Sequence, residues 1–360
     1  MITELTRQRH AVFSKHLRKQ SSKGRWLILT HDNPDPDSIA AAAALRKLLR
    51  QAFHRRVTVA YGGIIGRAEN QEMVRVLGIR LSHVRHLNWK HYGHFALVDT
   101  QPGTGNNQLP ERMTPEIVFD HHPMRRLTQK ATFTDIRPEY GATATILAEY
   151  LLAAELEITK KNATALVYAI RTETQDFGRE FTDSDKAIYN ALHAVADMRA
   201  LARIRTPRLP VSYFCNLHEA LESLQSVSTL VVSRLGEVEQ PDIVPEIADL
   251  LLRLNGKTWS LATGLYRDRV YLSIRTTNSR ADAGRLIRRL LGSRGKGGGH
   301  GMMAGGWVPV SKSPDGDPAA LQTQLAQRLA RMLKKNPDRL SPIVLSPAQG
   351  GEPEAPRRSD

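Results

Sequence analysis

Cysteine is nearly absent from this 360-residue chain: Cys215 stands alone. A single thiol excludes an internal disulfide and a cysteine-rich zinc cage, and it fits a reducing cytoplasm. Long apolar runs are missing as well. The longest candidate, residues 39–45, is mostly alanine and far short of the roughly 18–20 apolar residues of a membrane span. The opening "MITELTRQRHAVFSKHLRKQ" has a charged, helical pattern and no apolar signal-peptide core. Acidic residues are also scarce, 36 against 51 Lys and Arg, for a net charge of +15. That balance favours polyanionic partners, nucleotides or nucleic acid first; the plainer reading, a basic surface, stands until a basic cluster is tied to a site. A hydrophobic fraction of 41% supports a packed core, and the length suits two domains.

What is present alternates. "RWLILT" reads as a short buried strand and residues 38–49 as the helix after it, with Asp37 or Ser38 as N-cap. "RVTVAYG" reads as a second strand, and "RAENQEMVRVLG" as a helix closed by Gly78. "HFALVD" and "EIVFD" are further buried strands, each ending on an aspartate, before the helices "TATILAEYLLAAELE" and "KNATALVYAI". This order predicts an α/β fold on a mostly parallel sheet, with ligands beyond the carboxyl ends of the strands. Around residue 197 two prolines break the pattern. The expected boundaries are a first domain at 1–196, a connector or hinge at 197–225, a smaller α/β domain at 226–340 and a disordered tail at 341–360.

The stretch "THDNPDPD" packs one histidine and three aspartates around two prolines at the end of the first strand. Both prolines fix their own φ, and Pro36 keeps Asp35 out of the helical region, so the loop is preorganised. Asp99 and Asp120 end two other strands, and His121 and His122 follow at once in "FDHHP". In a parallel sheet these strand ends converge, collecting His31, Asp35, Asp37, Asp99, Asp120, His121 and His122. So many carboxylates resist common ionisation, and divalent cations relieve them. Mixed carboxylate and imidazole donors suit Mn²⁺ better than an all-oxygen Mg²⁺ or Ca²⁺ cage, and no thiolates are present to argue for zinc. The number of donors suggests two ions.

"HDNPDPD", "ALVDT" and above all "FDHHP" resemble motifs one to three of the DHH phosphoesterases. The resemblance implies a dinuclear Mn²⁺ site in which His31 and Asp35 hold one ion, Asp37 and His121 the other, and Asp99 bridges. Asp120 would orient the site and His122 would contact the phosphate. The fourth motif departs from the family. In "AIRTETQDF" Glu173 stands where an aspartate is usual, with Asp176 as a possible substitute.

"GSRGKGGGHGMMAGGW" lacks a Walker pattern, since Lys296 is followed by Gly297, and no strand precedes "GHGMMA" as a dinucleotide fingerprint requires. It is similar to the GGGH motif of the DHH-associated C-terminal domain. That resemblance implies that Gly298, Gly299 and His300, with Arg275 from "YLSIRT", hold the substrate's phosphate or nucleotide end across a cleft. From Arg275 to Lys296 there are seven basic residues and one acid. The expectation is a cytoplasmic, Mn²⁺-dependent phosphodiesterase or phosphatase acting by metal-assisted attack of water. It lacks the added modules of RecJ exonucleases and the membrane segments of cyclic-dinucleotide phosphodiesterases. The resemblance therefore points to the nanoRNase/pAp-phosphatase branch, with short oligoribonucleotides and 3′-phosphoadenosine 5′-phosphate (pAp) as substrates. Cyclic or linear dinucleotides are the nearest alternative, and a non-catalytic nucleotide- or RNA-binding protein is the rival of another class. No membrane partner is expected, and a homodimer is left open.

Overall fold

In a computed structural model the chain divides between Pro207 and Arg208 into two compact units. The structure describes residues 2–20 and 24–343, His300 through its backbone alone. Most of the expected disordered tail, residues 344–360, lies outside the described residues.

The N-terminal unit begins with α1 (Glu4–Lys19), β1 (Arg25–Leu29), α2 (Pro36–Gln51), β2 (Arg56–Tyr61) and α3 (Ala68–Leu77). Four short strands follow, β3 (Ser82–His83), β4 (His94–Val98), β5 (Ile117–Asp120) and β6 (Phe133–Ile136). It closes with α4 (Thr143–Ala153), α5 (Lys160–Glu173), α6 (Asp183–His193) and α7 (Met198–Arg205). The six strands run parallel in the order β3-β2-β1-β4-β5-β6. Strand order reverses between β1 and β4, which opens a crevice at their carboxyl ends.

Period-two alternation divides β1 between two cores. Trp26 and Ile28 face the helical layer, whereas Leu27 and Leu29 face a smaller cluster with Leu97 and Val118. Turns and loops close that second face through Val84, Leu87, Trp89 and Tyr92. Each fully buried Leu or Ile is worth about 1.5–3 kcal/mol relative to exposure. The alanines of α2 find their use here. Ala40, Ala41, Ala42 and Ala44 are all but fully buried, and their small side chains let α2 lie against α4 and α5.

The start of α2 differs from the sequence expectation. Neither Asp37 nor Ser38 is the N-cap; the helix begins at Pro36 and Asp35 caps it, accepting from the Ser38 N–H at 2.9 Å. Proline at the first helical position sacrifices no hydrogen bond, and its φ is already helical. Asp37 is thereby left to point at the crevice.

A buried ionic network ties α1, β6 and α4 together. Arg137 donates two bonds to Asp135, at 2.8 Å each, and one to Glu149 at 3.0 Å. The hydroxyl of Tyr150 donates to Asp135 at 2.7 Å, and Arg137 also reaches Thr6 and Tyr140. Arg137, Asp135 and Glu149 are each at most 3% exposed, so the pairing is enforced by the absence of water.

The C-terminal unit comprises α8 (Val211–Glu222), β7 (Gln225–Val227), β8 (Leu230–Glu237), α9 (Ile243–Leu251), β9 (Trp259–Tyr266) and β10 (Arg269–Thr276). After these come α10 (Ala283–Leu291), β11 (Lys296–His300), β12 (Met303–Pro309), α11 (Pro318–Met332) and β13 (Ser341–Pro342). Its seven-stranded sheet is mixed, ordered β11-β12-β10-β9-β8-β7-β13, with β8 and β9 parallel. Helices α10 and α11 cover one face and α8 and α9 the other. The expected connector is mostly helical, with Pro207 and Pro210 between α7 and α8. Ser341 and Pro342, assigned to the tail from composition, instead pair with β7. The glycine-rich run forms the β11–β12 hairpin.

Replacing Arg137 with leucine strands two buried carboxylates. It is expected to lower stability by about 3–5 kcal/mol, read as the urea midpoint of the full chain by circular dichroism. An unchanged midpoint would show that the network contributes no net stability.

Candidate metal centre

The crevice between β1 and β4 gathers eight of the side chains singled out in the sequence. The loop after β1 supplies His31 and Asp35, the first turn of α2 supplies Asp37, and Asp99 follows β4. Asp120 ends β5, His121 and His122 come directly after it, and Glu173 is the last residue of α5. Asp99 takes a φ of +58°, a left-handed conformation that short polar residues tolerate, and this turns its carboxylate into the crevice.

Asp99 stands between two groups of donors. One carboxylate oxygen lies 3.7 Å from His31 Nε2, which also faces Asp35 at 3.6 Å. The other lies 3.7 Å from His121 Nε2, and His121 in turn faces Asp37 and Glu173 at 4.0 Å each. His31, Asp35 and Asp99 form one set with converging donor atoms; Asp99, His121 and His122 form another.

Backbone and hydroxyl groups hold these side chains in place. The carboxylate of Asp37 accepts from the Thr143 and Ala144 N–H groups at 2.8 and 2.7 Å, at the N-terminus of α4. The Thr143 hydroxyl donates to Asp99 at 3.0 Å. His121 lies 3.1 Å through Nδ1 from the Tyr140 carbonyl, which can only accept, so Nδ1 carries the proton. Nε2 then keeps its lone pair. It is buried, has no hydrogen-bond partner among the described residues, and is aimed at the carboxylate oxygens of Asp99 and Asp37 at 3.7 and 4.0 Å, beyond hydrogen-bond reach. Lone pair facing lone pair is repulsive unless a cation sits among them.

Ionisation supports the same fit. Burial raises Asp99 well above the ordinary carboxylate range, and the charges of Asp37, Asp35, Asp120 and Glu173 raise it further. Burial, then Glu173 and Asp35, do the same to Asp37. Glu173 is pushed up to about 7 by burial and then by Asp35. A bound divalent cation reverses this, because it stabilises the charged carboxylates that their mutual repulsion disfavours. The donor set therefore fits divalent cations.

The dyad beside it behaves differently. Asp120 accepts from both the His122 backbone N–H, at 3.1 Å, and His122 Nδ1, at 2.8 Å. Burial opposes a charged His122, yet the Asp120 hydrogen bond and charge prevail and push it up to about 9. Its side chain is 43% exposed, so an imidazolium faces solvent at the crevice.

Glu173 and Asp176 part company. Asp176 follows α5 in a turn of left-handed residues, is 66% exposed, and pairs with Arg171. Only Glu173 points at His121. Four supporting groups escaped the sequence reading: Gln101, Tyr140, Thr143 and Ala144. Each acts through a backbone group or a neutral side chain, and the one visible signal was the Gly-Ala-Thr run that leads into α4.

The remaining candidates belong to the C-terminal unit. Arg275, Met303 and His300 lie in one row across β10, β12 and β11. Arg275 Nε donates to Asp249 at 2.6 Å and Nη1 to Ser273 at 2.6 Å, so its fork is already oriented. Gly298 is open on its side-chain face. Gly299 has φ +153°, and a Cβ there would lie 2.2 Å from the Met303 carbonyl.

Comparison with known proteins agrees with this architecture. The profile of the DHH family, N-terminal domain, matches residues 25–170, and that of the DHHA1 domain matches residues 228–334. An uncharacterized protein of Methanocaldococcus jannaschii is 35% identical over 294 residues, 81% of this chain. The chain spans 59% of that relative's length. Among solved structures, an exopolyphosphatase-related protein from Bacteroides fragilis superposes with a TM-score of 0.68 at 14% identity, covering 93% of this chain and 99% of that one. RecJ from Thermus thermophilus, in complex with Mn²⁺, gives a TM-score of 0.52 at 16% identity, over 92% of this chain and 55% of RecJ. These two likenesses concern the fold. With both domains matched in order, the chain belongs to the DHH family, a DHH N-terminal domain followed by a DHHA1 domain.

Proposed function

We propose that the chain is a Mn²⁺-dependent phosphoester hydrolase that acts on short oligoribonucleotides and on pAp. The observation that carries this reading is the buried Nε2 of His121, without a hydrogen-bond partner among the described residues and aimed at Asp37, Asp99 and Glu173 while Asp99 also serves His31. A purely binding protein has no need of so complete a donor set. Support for Mn²⁺ comes from the mixed carboxylate and imidazole donors and from the Mn²⁺ in the RecJ structure of the same fold. The net charge of +15 favours a polyanionic substrate.

His31, Asp35, Asp37, Asp99, His121 and Glu173 would hold two ions, with Asp99 shared between them. Bound there, the cations supply Lewis acidity toward water and the phosphoryl oxygens. The protein's own groups do the rest. His122, kept protonated by Asp120, donates to a phosphoryl oxygen as charge develops. The α4 N–H groups fix Asp37 and favour its charged form against burial, and the Thr143 hydroxyl restrains Asp99. Arg275, Gly298, Gly299 and His300 bind the substrate's remaining phosphate or nucleotide end, where the planar guanidinium fork suits phosphate.

The first test is release of mononucleotide from a 5′-phosphorylated diribonucleotide, with pAp in parallel, in Mn²⁺ and then in EDTA. Cleavage that EDTA abolishes is expected. No cleavage of either substrate by folded, Mn²⁺-loaded protein would sink the reading and favour an RNA-binding role. Asp99→Ala is expected to abolish hydrolysis in a folded protein, whereas residual Mn²⁺-dependent turnover would remove Asp99 from the donor set. Glu173→Ala should weaken Mn²⁺ binding in calorimetry and Asp176→Ala should not; the reverse pattern would reassign the last ligand. Arg275→Ala should raise KM and leave kcat nearly unchanged, and an unaltered KM would strike it from the substrate contacts.

A further inference from the structure

Gln101, two residues beyond Asp99, is 1% exposed, and both ends of its amide are engaged. Nε2 donates to Asp120 Oδ2 at 2.8 Å and lies 3.3 and 3.2 Å from the carbonyls of His122 and Pro123. Oε1 accepts from the Arg125 N–H and the Thr128 hydroxyl, each at 2.7 Å. The neighbours fix which end is which. A flipped amide would set its oxygen against the Asp120 carboxylate and its nitrogen against two donors. Asp120 is itself divided, Oδ2 serving Gln101 and Oδ1 serving His122. The connection therefore runs from Gln101 through Asp120 to His122, and it includes none of the six candidate ligands.

From this geometry we infer that Gln101 is a positioning residue: its amide nitrogen fixes Asp120, and through Asp120 the His122 imidazole, while its oxygen anchors the loop after the two histidines. The inference rests on the phosphoester-hydrolase reading for its kinetic consequences. Gln101 touches no substrate. Without its N–H, a carboxylate that is 1% exposed loses the donor to one oxygen, and it can rotate away from His122 to find another. The hydrogen-bond donor, and not bulk or polarity alone, is what the position requires.

The test is a double-mutant cycle between Gln101 and His122. Gln101→Leu removes both functions of the amide. Gln101→Glu keeps an acceptor for Arg125 and Thr128, so the loop stays tied even if the leucine variant fails to fold; it is assayed at alkaline pH, where an ionised carboxylate offers Asp120 no donor. Either change is expected to lower kcat about 10–100-fold, the range for partners that orient an active group. Bound Mn²⁺ per chain should be unchanged. In a His122→Ala background the same changes should cost less than about threefold, because the residue through which Gln101 acts is gone. Equal losses in both backgrounds, or loss of bound Mn²⁺, would overturn the inference and leave Gln101 a loop anchor or a support for the ligands. Crystal structures of the variants supply a readout independent of turnover, and the His122 ring should leave its Asp120 contact. Should the wild-type protein hydrolyse no phosphoester, the functional reading falls and the crystal structures decide alone. A His122 ring that stays in place would then overturn the inference.

Discussion

A histidine nitrogen with a lone pair and no hydrogen-bond partner among the described residues is the point on which the rest of the structure turns. His121 Nε2 is sealed from water among the carboxylates of Asp37, Asp99 and Glu173. Such a cluster is unfavourable as it stands, since burial and like charge both resist ionisation. Folding must hold it together against that cost, and a strand-order reversal is a suitable place. Each participating strand has its carboxyl end at the crevice, so short loops deliver side chains from several elements without long excursions.

The supports follow from that demand. The Tyr140 carbonyl fixes His121, and the Thr143 and Ala144 N–H groups fix Asp37, so the segment between β6 and α4 is itself a working part. It is secured from both sides. Arg137 and its buried carboxylates clamp the start of the segment, and Asp185 accepts from the Gly141 N–H at 2.9 Å and from the Thr145 hydroxyl. A buried ion-pair network need not add net stability, and this one also restrains a segment that reaches the site. It fixes the chain that aims the ligands.

Much of this was legible in the sequence, for identifiable reasons. Strand ends in a parallel sheet converge whatever their loops do, so Asp99 and Asp120 could be placed from hydrophobic runs that stop on an aspartate. The two histidines after Asp120 came with them. Helix starts were less legible. The helix was expected from residue 38, but Pro36 serves as its first residue, which places the cap at Asp35. The tertiary supports left no periodic trace. Gln101 is an unremarkable loop glutamine until the fold places Asp120 and Arg125 on either side of its amide. The choice between Glu173 and Asp176 likewise needed the helix end, because one sits on the last turn of α5 and the other within the left-handed turn after it, facing solvent.

The C-terminal unit shows how a motif can be legible in residues and ambiguous in cause. Its glycines invited an anion-binding explanation, yet several are demanded by packing. A Cβ on Gly284 would sit 2.0 Å from the Gly299 carbonyl, and one on Gly297 would meet Leu291. Helix α10 therefore presses onto β11 where only glycine permits it, and of the three β11 glycines Gly298 is the one whose side-chain position is open. The basic charge divides in the same way. Arg285, Arg288 and Arg289 line the outer face of α10, opposite buried Ile287, Leu290 and Leu291, as any amphipathic surface helix would arrange them. Arg275 instead leaves a central strand with its fork held by Asp249 and Ser273, in register with Met303 and His300. A guanidinium already held in one orientation gives up less freedom on binding than three that move independently in water, which is why the proposed phosphate contact is placed on Arg275 and not on the helix.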